Sequence, residues 1–434
     1  MKRRSLTLAA ACLPAFAAAQ DARQVAEPVM PAVCTTLKAM LDSPEAINAD
    51  DTTRLQQAID HCPAGQAVRL AGDNAHAFLS RPLVLRAGVG LAIDAGIILY
   101  ASPDPMSYDK DKGSRRCGSN DDSGKACKPF ITVDGGDGGG IYGSGMIDGQ
   151  GGHSMTGQSE SWWQLSRRAQ REHKNQNVPN LIVVDRAHDF TLYQVTLRNS
   201  PKFHVVLNQV DGFTAWSVKI DTPADARNTD GIDPVSSRNV TIAHSFIRAG
   251  DDDVAIKSGS AGPSENVSIV HNHFYSGHGM SIGSNTDGGI HHVLVEDLSM
   301  DGTVSGLRIK SDISRGGLVD DIRYRDICLR DVKAPIDFGS NYAPDARGDK
   351  LPQYRDIVLR DVHSVTPGRV ILHGLDDTHR LKADFINVAI AGKAERSTAY
   401  ADVRILPSDA SPISCDGRFI PFPDPNSANP HSAK

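Results

Sequence analysis

Between residues 189 and 359 the chain repeats itself. Short β-branched runs opened by Asp, Gly, Asn or His recur as Asp189-Phe190-Thr191-Leu192, Gly212-Phe213-Thr214-Ala215, Asn239-Val240-Thr241-Ile242, Asn266-Val267-Ser268-Ile269, His292-Val293-Leu294-Val295, Asp321-Ile322-Arg323-Tyr324 and Asp356-Ile357-Val358-Leu359. Their second residues are separated by steps of 23, 27, 27, 26, 29 and 35. A second register keeps the same beat in Val254-Ala255-Ile256, Met280-Ser281-Ile282 and Leu307-Arg308-Ile309. A unit of this size cannot bury its own apolar face, but a stack of units can, so the chain must be a solenoid. It has neither the Leu/Asn pattern of leucine-rich repeats nor the longer four-strand units of a propeller. Several short strands per coil with no helix between them predict an all-β protein, a right-handed parallel β-helix. Adjacent coils then lie about 4.8 Å apart, and Ile256, Ile282 and Ile309 form a buried ladder.

One amphipathic helix is predicted over residues 51–62, with Leu55, Ala58, Ile59 and Cys62 on one stripe, Asp51 or Thr52 as cap and Pro63 as stop. It would plug the N-terminal end of the stack, where open strand edges invite aggregation. Beyond it the helical period disappears. The first 19 residues have a basic start (Lys2-Arg3-Arg4), an apolar run from Leu6 to Phe16 and a small-residue site at Ala17-Ala18-Ala19. That pattern is a secretory signal peptide; Arg3-Arg4 also admits a twin-arginine reading. Residues 20–434 then form a single domain, with a loose tail from Asp416.

Removing the three signal-peptide cations takes 46 Lys and Arg to 43 against 52 Asp and Glu, a net charge of −9. This balance points away from nucleic acid and anionic membranes. The mature chain keeps Cys34, Cys62, Cys117, Cys127, Cys328 and Cys415, a usage that agrees with export. Short loops favour Cys34–Cys62 and Cys117–Cys127. Cys328 reads equally as a buried thiol or as the partner of Cys415.

Four strings carry the chemistry: Asn228-Thr229-Asp230, Gly250-Asp251-Asp252, Gly277-His278-Gly279 and Arg308-Ile309-Lys310. Each follows the last by about one coil, so the stack should bring them together on one lateral face. Glycoside hydrolysis needs one carboxylic acid to protonate the leaving oxygen and a second carboxylate to activate water or attack carbon. Crowded carboxylates suit this, because mutual repulsion keeps one of them protonated. An imidazole beside them can adjust which form persists. Arg308 and Lys310 alternate along one strand, so both point to one side, where a guanidinium can grip a uronate carboxylate. The glycines around His278 would let a sugar chain approach the backbone.

These motifs resemble those of glycoside hydrolase family 28, the polygalacturonases, and most closely its bacterial endo-acting members. The likeness is densest from Asn199-Ser200-Pro201 to Arg308-Ile309-Lys310-Ser311, through Asn228-Thr229-Asp230-Gly231-Ile232-Asp233, Ala249-Gly250-Asp251-Asp252 and Ser276-Gly277-His278-Gly279-Met280-Ser281-Ile282-Gly283. It extends more weakly over most of the mature chain. The resemblance implies a β-helix and inverting hydrolysis of α-1,4-linked galacturonan without a cofactor or metal. It implies that Asp251 is the general acid, that Asp230 and Asp252 hold and deprotonate the attacking water, and that His278 supports the acid's protonation. Arg308 and Lys310 would bind substrate carboxylates, with Asn228 as a neighbouring contact. Two departures stand out. Asp253 adds a third consecutive carboxylate where many relatives have Cys or Asn, and is expected to be structural. A tyrosine that some fungal members place late in the cleft falls here near Val370, with Tyr342 as a candidate elsewhere.

His204 and Tyr342 are further substrate-binding candidates, and Lys257 is another cleft candidate. Taken alone, each string has a plainer reading: Asp-rich turns are common in β-helices, clustered carboxylates can bind calcium, and Arg308 and Lys310 could be a solvated strand face. Their order and spacing favour catalysis. The expected protein is therefore a secreted, monomeric endo-polygalacturonase acting on polygalacturonic acid or de-esterified pectin. Compact length favours endo over exo action. The rival classes are a calcium-dependent pectate lyase and a non-catalytic uronan-binding β-helix.

Overall fold

The computed structural model describes residues 20–43, 50–408 and 411–424; the proposed signal peptide lies outside them. Each first residue of the quoted strings has left-handed backbone: Asp189, Asn239, Asn266, His292, Asp321 and Asp356 have φ between 51° and 57°, and Gly212 has φ 91°. Asp, Asn, His and Gly tolerate that region best, which explains why the repeat opens with them. The chain turns there, and the next residue starts an inward-facing file. Phe190, Phe213, Val240, Val267, Val293, Ile322 and Ile357 are register partners from coil to coil, all parallel. Every one of the six sequence steps is thus one coil of a right-handed parallel β-helix.

A 20-stranded sheet forms one side of the stack and an 11-stranded sheet another. Within the second, Ile256 pairs with Ile282 and Ile282 with Ile309, and all three are fully buried. Truncating the middle of this ladder, Ile282→Ala, is expected to cost about 2–5 kcal/mol, since the rigid coils on either side cannot collapse into the gap. Equilibrium urea unfolding measures it.

The N-terminal helix α1 (Thr52–His61) buries Leu55 and Ile59 against the strands Gln66–Ala71, Ala77–Ser80 and Leu83–Leu85. Asp51 occupies the cap position but makes no side-chain cap. Its carboxylate instead accepts from Leu79 N at 2.9 Å and pairs with Arg54 at 2.6 Å, stapling the helix to the sheet. A second helix, α2 (Trp162–Arg171), contradicts the expectation that helical structure ends at Cys62. Its signal was present: Ser161 and Gln164 form a capping box, and Trp162, Leu165, Ser166 and Ala169 are buried on one face. No helix among the described residues is long and apolar enough to cross a membrane.

Three disulfides close: Cys34–Cys62, Cys117–Cys127 and Cys328–Cys415. Cys328 is therefore not a free thiol. The tail expected to be loose from Asp416 is docked through its described part, 416–424. Arg418 pairs with Asp297 and Asp326, Tyr275 Oη donates to Ile420 O at 2.6 Å, and Arg330 and Arg248 lie over the rings of Phe419 and Phe422. Aromatic and cationic side chains in the tail supply this grip, which composition alone did not reveal.

Candidate active site

The four strings arrive on four consecutive strands of the 11-stranded sheet. Asp230 precedes Ile232–Val235, Asp251 and Asp252 precede Val254–Ser258, His278 precedes Met280–Thr286, and Arg308 and Lys310 lie within Ser305–Lys310. These strands are successive neighbours, so residues a coil apart in sequence meet in space.

Asp251 Oδ1 lies 3.0 Å from His278 Nδ1 and accepts from Asp252 N at 2.9 Å. Its Oδ2 accepts from Asn228 Nδ2 at 3.2 Å. Asn228 has φ 55°, a turn geometry that asparagine accepts, and its Oδ1 accepts from Gln176 Nε2 at 3.0 Å. Asp252 Oδ2 pairs with Lys310 Nζ at 2.6 Å, while Oδ1 accepts from Ser281 Oγ at 2.7 Å and lies 3.8 Å from Arg308. Asp230 Oδ2 meets Lys257 Nζ at 3.1 Å, and the same ammonium holds Asp233 Oδ2 at 2.5 Å. The six residues placed together by spacing are thus brought together, with Asn228 beside them.

Their electrostatics differ. Burial raises the Asp230 carboxyl well above the usual range; Asp233 adds to this, Lys257 opposes it, and Asp251 and Asp252 reinforce it. Burial also lifts Asp233 to about 6 against the pull of Lys257. Burial pushes Asp251 the same way, but the hydrogen bond and charge of His278, followed by Lys310, hold it below the carboxylate range. In the free protein the environment therefore favours a proton on Asp230 over one on Asp251.

Asp253 is fully buried. It accepts from Ala249 N at 3.3 Å and Gly279 N at 3.1 Å, tying the Asp251 turn to the His278 turn. The glycines around His278 do not face open space as expected for a sugar approach. A Cβ on Gly277 would meet Asp251 O at 2.5 Å, and one on Gly279 would meet Ser305 O at 2.1 Å. They allow coil to lie against coil, and their positive φ of 65° and 74° is a second reason for glycine.

His204 is not a cleft residue. It is fully buried, with Nδ1 on Asp230 O at 2.9 Å and Nε2 on Thr222 Oγ1 at 2.7 Å. Burial lowers its pKa to about 4, so it is a neutral support beneath the Asp230 turn. Val370 pairs with Ile336 inside the core, so it does not stand in for a cleft tyrosine. Tyr342 does reach the site. Its ring centroid lies 5.6 Å from Arg308, 5.4 Å from Lys310 and 5.8 Å from Arg315, and the residue is exposed. It rides on the extra chain of the 35-residue step, the one signal that could have placed it. Sequence reasoning missed Gln176, Asp233, Ser281 and Asp337, the last 3.4 Å from Arg308 Nε. Ser281 and Asp337 reach Asp252 and Arg308 from the next coil, Gln176 reaches Asn228, and Asp233 shares Lys257 with Asp230.

Asp251, Asp252 and His278 are the one trio of ligand-type side chains among the described residues close enough to hold an ion, with donor atoms within 4.8 Å. The set does not suit calcium, which takes six to eight oxygens. One donor here is an imidazole nitrogen, and Lys310 already sits on Asp252.

The family model described as glycosyl hydrolases family 28 matches residues 110–415. An endo-polygalacturonase of Pectobacterium parmentieri is 45% identical over 393 residues, covering 89% of this chain and 95% of that protein. A polygalacturonase of Ralstonia solanacearum is 41% identical over 427 residues, covering 84% and 79%. Among solved structures, the polygalacturonase from Erwinia carotovora ssp. carotovora superposes with a TM-score of 0.85 at 43% identity, covering 89% of this chain and all of that one.

Proposed function

The chain belongs to glycosyl hydrolase family 28, and from that premise we propose that it is an endo-polygalacturonase, hydrolysing α-1,4-galacturonosidic bonds of de-esterified pectin. The observation that carries this reading is the juxtaposition of Asp251 and Asp252 with His278, Arg308 and Lys310, with Asp230 near enough for its charge to be felt by both. Relatives aligned over nearly their whole length carry the same activity in their names.

Arg308 and Lys310 receive uronate carboxylates beside the scissile bond, and Tyr342 offers its ring to the sugar next to them. Bringing a negative charge against these cations lifts the Asp251 carboxyl by the Coulomb rule that depresses it in the free protein. A proton on the Asp251 carboxyl, which His278 Nδ1 holds in place at 3.0 Å, then passes to the glycosidic oxygen as the C–O bond breaks. Asp230 and Asp252 orient a water on the opposite face and take its proton as it adds to the anomeric carbon, with inversion. No step calls for a metal or cofactor. Three disulfides suit an oxidising compartment, and a polymeric substrate calls for a secreted protein; we read it as a monomer.

The test is product analysis on polygalacturonic acid with and without chelator, following viscosity, reducing ends and ultraviolet absorbance together. Rapid viscosity loss with saturated oligomers, insensitive to chelator, is expected. Mono- or digalacturonate release with little viscosity change means exo action. A chelator-sensitive unsaturated product means a lyase, and binding without new reducing ends means a non-catalytic protein. In the same assay Arg308→Gln is expected to raise KM and lower kcat/KM by about 10²-fold, the scale of a lost charge-assisted pair.

A further inference from the structure

Asp230 also belongs to a second ionic cluster, whose other members, Lys257 and Asp233, the reaction as described does not use. Lys257 Nζ stands between two buried carboxylates, 3.1 Å from Asp230 Oδ2 and 2.5 Å from Asp233 Oδ2. The other oxygen of each, Oδ1, is buried and accepts no hydrogen bond. Asp233 is 1% exposed, and its recorded side-chain partner is Lys257. Lys257 Nζ also lies 4.7 Å from the ring centroid of Phe203, which helps fix its position.

One ammonium shared by two carboxylates leaves the cluster short of positive charge. The other charged groups around Asp230 are Asp251 and Asp252 from the next turn. Lys202 and Arg227 lie on the same side; Arg227 is engaged with Gln176 at 3.1 Å, and Lys202 is lowered by burial first, with Asp230 opposing. Neither of these two cations is within ion-pair distance of Asp230, so Lys257 is its direct counterion among the described residues.

We infer that Lys257 and Asp233 are positioning residues for hydrolysis: Lys257 clamps Asp230 through Oδ2, and Asp233 competes for the same ammonium, so the pair tunes how readily Asp230 accepts a proton. The inference rests on the reading of Asp230 as a water-activating carboxylate. Such a base must be ionised, so activity rises with pH through its titration. Removing Lys257 removes the positive charge that favours ionisation, and the acidic limb of the kcat profile moves up. Removing the Asp233 charge frees the ammonium for Asp230 alone, and the limb moves down. Opposite shifts from two touching residues are not what a merely structural role produces.

The experiment measures kcat and KM on polygalacturonic acid across pH for the full protein and for Lys257→Met, Lys257→Arg, Asp233→Asn and Lys257→Met/Asp233→Asn, with thermal melts alongside. Lys257→Met is expected to raise the limb by about 1–3 pH units, the usual reach of a charge at this distance. Lys257→Arg is expected to stay near the parent, Asp233→Asn to shift downward, and the double variant to fall between, all with KM little changed. Shifts in the same direction, or none, overturn the inference. If Lys257→Met does not fold, Asp233→Asn alone decides, because it keeps the ammonium: an unmoved limb overturns the inference. Asp230→Asn separates the two levels. Full activity there sinks the reading of Asp230 itself, whereas an inactive Asp230→Asn with unmoved limbs in the other variants sinks the positioning roles only.

Discussion

Asp251→Asn is expected to lower kcat on polygalacturonic acid by about 10²- to 10⁴-fold, the usual worth of a positioned proton donor. KM should hardly change, and the fold should persist. Asparagine has nearly the same shape, and its carbonyl can still accept from Asp252 N and from His278, which meet Oδ1 at 2.9 and 3.0 Å. What it cannot do is pass a proton. The substitution also gives up the favourable charge interactions of Asp251 with His278 and Lys310, so a modest drop in stability is expected alongside. Because the free protein favours a proton on Asp230, the assignment of acid and base needs its own test. An aryl oligogalacturonide with a leaving group that needs no protonation should restore turnover to Asp251→Asn but leave Asp230→Asn inactive. The reverse pattern would exchange the two roles.

The Cys328→Ala/Cys415→Ala variant is expected to lose about 4–5 kcal/mol of stability, read by urea unfolding under non-reducing conditions. The bond closes a loop with a sequence separation of 87, and the chain-entropy account assigns roughly that value to so long a loop. It also anchors the tail, whose contacts with Arg248, Tyr275, Asp297, Asp326 and Arg330 follow shortly after Cys415. Without the tether those contacts must order the tail unaided. Activity at low temperature should persist, because none of these contacts involves Asp230, Asp251, Asp252, His278, Arg308 or Lys310. A loss near zero would mean that the tail contacts hold the coil by themselves.

Both predictions rest on features that differ in how openly the sequence displayed them. The coil period was legible because each coil makes the same two demands: a residue tolerant of left-handed backbone at the turn, then an apolar residue facing in. Asn239 and Asn266, followed by Val240 and Val267, meet both. Once the period is known, the convergence of Asp230, Asp251, His278 and Arg308 follows from counting. The helix α2, Trp162–Arg171, lies before the first repeat at Asp189 and so outside the period, and the docking of the tail depends on surfaces built by distant coils.

Sequence alone therefore determined the parallel β-helix, the buried Ile256–Ile282–Ile309 ladder and the identity of the clustered acids, because a regular stack converts linear spacing into position. Only the tertiary structure decided what each side chain does there. It turned His204 inward beneath Asp230, brought Tyr342 to the cations, joined Cys328 to Cys415 and set Lys257 between Asp230 and Asp233. Those outcomes depend on side-chain direction, burial and the lengths of irregular loops, which the repeat does not encode. The protonation order of the carboxylates belongs to the same class, since desolvation and neighbouring charge exist only once the coils are packed.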